Sequence, residues 1–339
     1  MKEKLLTAAV KQAYNEKRRL VVPLAGFPGI NITGSTIKLA QQNYDEHFKV
    51  VKANVERFQP DAVFPLMDLS VEANALGRYT LFPKEESATV ARELFTMEEL
   101  EKITNIRISC DTRLRGYTET IKLMSHGLSP GILRGAYVSG PYTLAGLLMG
   151  ADDAAASTVM NPDDLHKILK VTTSKVLEYV KLLAACGAQM ICVLDPSAVM
   201  LGPVQFEEFA GNYTKKIVQI CKDTDIAVVY HICGNTMHLI EKMCETGVDA
   251  LSLDSPVSGV ELQVAAEKAT DNMVIIGNIN PVGRLLNGSP DEVILETNEL
   301  LLEMEKFPNF ILSTGCDLPQ ETPLENIDAF MKAGRDYKL

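Results

Sequence analysis

In the stretch YHICGN, His231 and Cys233 stand two residues apart at the end of an apolar run, 226–230. Side chains alternate along an extended chain, so these two point the same way. Imidazole and thiolate are ligands that zinc prefers. A third soft side chain, Cys316, lies in STGCDLPQETP, where a thiol beside Gly315 and Asp317 on a loop is an odd place for a core filler. A His–Cys–Cys set leaves one corner of a tetrahedron open, as catalytic zinc sites do. Asp254 and Glu72 are the candidates for an exchangeable fourth ligand. Two thiolates donate charge to the metal, which favours activating a substrate thiol over activating water. The same residues also fit a plainer role, in which His231 hydrogen-bonds at a strand end and the cysteines fill space. Tight metal without an exchangeable position would make the chain a non-catalytic zinc-binding scaffold.

The elements that must position these residues are legible as an alternation. Eight short apolar runs occur at 20–24, 61–67, 133–140, 189–194, 226–230, 249–254, 273–278 and 310–315. Helical patterns lie between them, including 162–186, 204–223, 236–246 and 291–306, with Asn161 placed to cap the first and Pro162 at its favoured opening position. Nearly continuous apolar strands alternating with helices read as a parallel sheet covered by helices. Eight such units predict an α/β fold, a (β/α)8 barrel with insertions between its first and third strands. It is a single domain spanning 1–339, with 1–18 as an N-terminal helix. A doubly wound open sheet is disfavoured, because PLAGFPGINITGS has glycines at the wrong spacing for a dinucleotide fingerprint.

In such a barrel the strand C-terminal ends form the active face. Asp68 and Glu72, Ser139, Asp195, His231 and Cys233, Asp254, Asn278 and Cys316 then fall at successive strand ends. His47, His126, His166 and His238 show no such clustering. Cys186, Cys192, Cys221 and Cys244 sit in apolar surroundings and read as small buried hydrophobes.

Composition sets the outer limits. The 339 residues are 46% hydrophobic and 23% charged, with a formal net charge of −11. That balance belongs to a globular chain with a large core, and it argues against nonspecific binding to nucleic acid or anionic membranes. Apolar stretches stay well short of the ~20 residues that span a bilayer. Seven cysteines, an odd number, behind a charged amphipathic N-terminus read as reduced thiols in a cytoplasmic protein.

HICGN together with the distant STGCDLPQETPLENIDAF resembles the H-x-C…C zinc signature of the methylcobamide:coenzyme M methyltransferases, within the uroporphyrinogen decarboxylase superfamily of (β/α)8 barrels. MDLSVEANALG (67–77) and GNINPVGRLLNGSPDEV (277–293) are similar to further blocks of that group. The resemblance runs from about residue 50 to the end. It implies Zn2+ on His231, Cys233 and Cys316, and a methyl group moved between a corrinoid (methylcobamide) protein and a small thiol such as coenzyme M. Asp254 would ligate or orient, with Glu72 and Asp68 as weaker candidates. Arg134, Asn278 and Arg284 are available for an anionic tail on the thiol. Two other activities fit the superfamily: demethylation of a methoxylated or methylated donor onto the corrinoid protein, and uroporphyrinogen decarboxylation. The latter is set back by 21–35, VVPLAGFPGINITGS, which contains no arginine where the decarboxylases hold their substrate's carboxylates.

Overall fold

The computed structural model describes residues 3–339. Its frame is a curled parallel sheet of seven strands, which we label β1 (Ala62–Val63), β2 (Leu133–Ser139), β3 (Met190–Leu194), β4 (Ala227–Ile232), β5 (Ala250–Leu253), β6 (Val274–Ile279) and β7 (Phe310–Thr314), paired in that order. Helices connect them and cover the outer face. A separate two-stranded hairpin, Thr80–Leu81 with Thr89–Val90, lies in the long β1–β2 connection.

The predicted first strand, 20–24, does not form as a regular strand. It makes one parallel bridge, Val21 to Leu312, with Val22 N–H donating to Leu312 O (2.9 Å) and Leu312 N–H to Leu20 O (3.0 Å). On its other side Asp61 N–H donates to Val21 O (3.2 Å), so the segment sits between the two sheet edges. Its ladder stops for two reasons. Val21 N–H is taken by the Asp61 carboxylate at 2.8 Å, and Pro23 has no N–H to give. The predicted strand 61–67 is likewise cut to two residues between Pro60 and Pro65.

Two layers of apolar packing hold the sheet. One lies outside, beneath the helices, and the other fills the interior. The interior set follows the period of two along each strand, as in Met190–Cys192–Leu194 and Ala227–Val229. A helix we label α1 (Leu5–Asn15) contributes Leu6, Val10 and Ala13 to this set, so its apolar stripe packs against the first inward residues of the strands. The predicted helix 1–18 begins outside the described residues and ends three residues early.

Other helices depart in detail. Pro162–Ala185 forms as expected, but Asn161 makes no side-chain cap bond. The stretch 204–223 divides into Pro203–Gln205, a π-helical turn Phe206–Gly211, and Asn212–Cys221. The helix Pro141–Met149 is capped from a neighbour. Buried Asp195, just past β3, accepts from Thr143 N–H (2.8 Å) and from the Tyr230 hydroxyl (2.9 Å). No helix among the described residues is long and apolar enough to cross a membrane.

The Asp61 side chain ties the segment 20–22 to the start of β1, one oxygen accepting from Val21 N–H (2.8 Å) and the other from Arg18 (2.9 Å). Asp61→Ala should lower the unfolding free energy by about 1–3 kcal/mol. Hydrogen exchange should quicken at Val21, Val22 and Leu312 while the β3–β5 amides keep their protection.

Candidate metal centre

The interior alternation that buries Ala227 and Val229 carries His231 inward at the end of β4, inside the strand and not just beyond it. In register, His231 pairs with Leu194 on β3 and Ser252 on β5. Its Nδ1 lies 3.0 Å from Ser252 Oγ, which leaves Nε2 to face the mouth. Nε2 is 3.2 Å from Cys233 Sγ and 3.8 Å from Cys316 Sγ, and the two sulfurs are 3.6 Å apart. That is well beyond the ~2.05 Å of a disulfide. All seven cysteines are free thiols.

These separations can be tested against a metal. A tetrahedron with zinc–sulfur bonds of ~2.3 Å and a zinc–nitrogen bond of ~2.05 Å has edges of about 3.8 Å between sulfurs and about 3.6 Å between sulfur and nitrogen. The three atoms fit that triangle to a few tenths of an ångström. Ser252 on Nδ1 is the outer partner a ligating imidazole uses to hold its tautomer. Among the described residues, His231, Cys233 and Cys316 form the one group of three such donors close enough to share an ion.

Local backbone explains how residues 83 positions apart meet. Gly234, at φ 90°, turns the chain directly after Cys233. Asp254 holds that turn, accepting from Gly234 N–H and Ser255 N–H, each at 2.6 Å. Asn278 holds Asp254 in turn, its Nδ2 donating to Asp254 O (2.9 Å). Gly315 then passes so close to Ser255 that a Cβ would lie 2.5 Å from Ser255 N, and Cys316 follows immediately. Electrostatics tie the group together as well. The Cys233 contact and burial push the Cys316 thiol up. Burial opposes a proton on His231, but Cys316 and Asp254 outweigh it and move the imidazole up. A cation among the three would displace those protons.

The other sequence candidates lie apart from the triad. Asp68 is locked by Arg113, Tyr117 Oη (2.7 Å) and Ser70 Oγ (2.6 Å). Glu72 accepts from Ser139 N–H (2.7 Å) and Ser139 Oγ (3.1 Å) at the end of β2. Arg134 stands at the start of β2, at the end of the sheet opposite the mouth. Arg284 is half-exposed and 3.9 Å from Glu299. His47 is buried, accepts from Leu66 N–H (2.8 Å), and burial pushes it down to about 3. Sequence reasoning missed Ser252 and Tyr137, which the period of two turns inward on strands read only for their last residues. It also missed Arg113, whose helix carries no motif.

A sequence model of the family described as Uroporphyrinogen decarboxylase (URO-D) matches residues 28–337. The chain belongs to that family. Among curated relatives of this URO-D member, a "Methylcobamide:CoM methyltransferase MtbA" from Methanosarcina mazei is 27% identical over 99% of the chain and 98% of its own length. A "Uroporphyrinogen decarboxylase" from Prochlorococcus marinus is 24% identical over 87% of the chain and 85% of its own length. A solved "methyltransferase from Methanosarcina mazei" shares the fold, with a TM-score of 0.86 at 22% identity, covering 98% of both chains.

The buried Glu72 gives a test by pH. Burial raises its carboxyl from 4.5 to about 7, so the native state binds the proton more tightly than the unfolded chain. Its contribution is therefore fully present below about pH 4.5, falls as the pH rises towards 7, and stays low above that. Glu72→Gln keeps an acceptor for Ser139 N–H and removes the titration. Between pH 5 and pH 8, urea unfolding should shift in favour of the variant, relative to wild type, by on the order of 3 kcal/mol.

Proposed function

We infer that this chain is a corrinoid-dependent methyltransferase, moving a methyl group between a corrinoid carried by a partner protein and a small thiol, with zinc held by His231, Cys233 and Cys316. The observation that carries this reading is the triangle of one imidazole and two thiols at the strand ends, with separations of 3.2, 3.6 and 3.8 Å. The names of the methanosarcinal relatives, and the TM-score to one of them, support it. We read 20–24 as the degenerate eighth stave of a (β/α)8 barrel, which gathers all the strand ends into one mouth.

Zinc, when bound, supplies a thiol with a thiolate's reactivity near neutral pH. The chain's own residues do the rest. Ser252 holds His231 in the tautomer that presents Nε2. Asp254 is a positioning residue, because its oxygens are taken by Gly234 N–H of the Cys233 turn and by Ser255 N–H of its own turn. Apolar Leu194, Ile276 and Ile311 share the inward ring that carries His231 and make the floor around it apolar. A methylated corrinoid presented at these strand ends would supply the methyl group, and a thiol that had given up its proton at His231, Cys233 and Cys316 would receive it. Approach in line matters more than acid–base chemistry.

The arginines beside 21–35 do not support porphyrinogen decarboxylation. Arg18 and Arg19, the nearest to 21–35, are engaged elsewhere. Arg18 pairs with Asp61, and buried Arg19 donates to Met304 O (3.1 Å) and Glu305 O (2.9 Å).

His231→Ala and Cys316→Ala should each reduce bound zinc to well below one equivalent and slow thiol methylation from methylcobalamin at least ~100-fold. Metal analysis and product assay check this, and full activity in a metal-free variant would sink the reading. Demethylation of methoxylated compounds onto added Co(I) corrinoid, without thiol methylation, would move the assignment to the donor side.

The partner's docking is testable too. Met200, Val204 (70% exposed), Val257 (78%) and Val282 are exposed apolar side chains on the connections that follow β3, β5 and β6. Val257→Glu should raise KM for the corrinoid protein several-fold and leave free methylcobalamin turnover unchanged.

A further inference from the structure

Tyr137 stands out among the inward residues because its polar atom has nothing to do. It lies on β2 with Cys192 as its register partner on β3, one layer beneath the layer of Leu194, His231 and Ser252. Its ring stacks on Phe64, with centroids 4.9 Å apart and planes at 22°. The residue is only 7% exposed, and its buried hydroxyl has no hydrogen-bond partner. Burial, followed by the charges of Asp317, Cys192 and Cys316, holds the phenol firmly protonated. It is therefore a hydrogen-bond donor that lies in the field of Cys192 and Cys316. A second orphan lies beside Cys316. Asp317 Oδ2, next to Cys316, is also buried without a partner.

A buried hydroxyl left unpaired destabilises the fold by comparison with pairing it or deleting it. Phenylalanine would fill this place and keep the stack on Phe64. The hydroxyl is thus free to serve a ligand that arrives at the mouth. The sulfur of that ligand belongs with His231, Cys233 and Cys316, so what reaches Tyr137 is the rest of the molecule.

We propose that Tyr137 is the residue that selects the tail of the thiol, donating a hydrogen bond to an acceptor oxygen carried a few bonds from the sulfur. This rests on the methyltransferase reading for the position of the sulfur. Sulfonate, carboxylate and amide oxygens share the required chemistry, and a plain alkyl tail lacks it. The apolar layer of Cys192, Val229, Ala250 and Val274 around Tyr137 offers the ligand no competing donor.

The test compares three thiols of similar size, namely 2-mercaptoethanesulfonate, 3-mercaptopropionamide and 1-propanethiol. Each is titrated calorimetrically into full-length zinc-loaded wild type and Tyr137→Phe. The variant should bind the sulfonate and the amide about tenfold more weakly and 1-propanethiol equally well. The sulfonate and amide arms separate a charged acceptor from a neutral one. Its zinc content should be unchanged, and its Tm should equal or exceed that of wild type, because the change deletes an orphaned polar group. Equal losses for all three thiols, or none, would overturn the proposal. So would a clear drop in Tm, which would mark a hydroxyl satisfied by structural water. Failure of wild type to bind any thiol would instead sink the methyltransferase reading, and the proposal with it.

Discussion

The centre depends on one constraint, the register of the parallel ladder. Ser139, Leu194, His231, Ser252, Ile276 and Ile311 are successive partners across six strands and form one ring of inward side chains. A slip of one residue in any strand would turn its contribution to the opposite face. His231 would then lose Ser252, and Cys233 would lose its approach to Cys316. Each strand is nearly all apolar, so the register is held by burial on both faces.

Parallel pairing leaves the last step to loops, and here close backbone approach replaces strand geometry. Gly234, Asp254, Asn278 and Gly315 form one chain of contacts linking the turns after β4, β5 and β7, with Asn278 contributing from within β6. None of them is a metal-ligand candidate by its contacts. Together they bring two cysteines 83 residues apart to 3.6 Å. A precise site on loops requires such support.

Much of this was legible beforehand because burial and periodicity are local signals. The inward direction of His231 and Cys233 follows from a period of two, and the grouping of strand ends follows from strand–helix alternation. What could not be read were the places where a side chain competes with the backbone. Asp61 takes the Val21 N–H, and the expected strand at 20–24 shrinks to a bridge. The cap expected of Asn161 is absent, while Asp195 caps the helix Pro141–Met149 from the end of the neighbouring strand β3, a contact between residues 52 apart. Arg134 looked available for an anion only because its end of the strand was not considered. Tyr137 was overlooked because a tyrosine in an apolar strand reads as core until its hydroxyl is found to be unpaired.

The division of carboxylates at the mouth follows from charge. A divalent zinc with two thiolates and a neutral imidazole is a neutral centre, and a substrate thiolate brings it to a single negative charge. A carboxylate as fourth ligand would reach that charge first and compete with the thiol for the same position. Asp254 is withheld from this by two short backbone hydrogen bonds, and Asp68 by Arg113 and Tyr117. Glu72 is withheld differently, by a burial that favours its neutral form. These three acids are thus each spent on backbone, on a cation or on a proton. On the zinc reading, that keeps their carboxylates off the position a substrate sulfur would take.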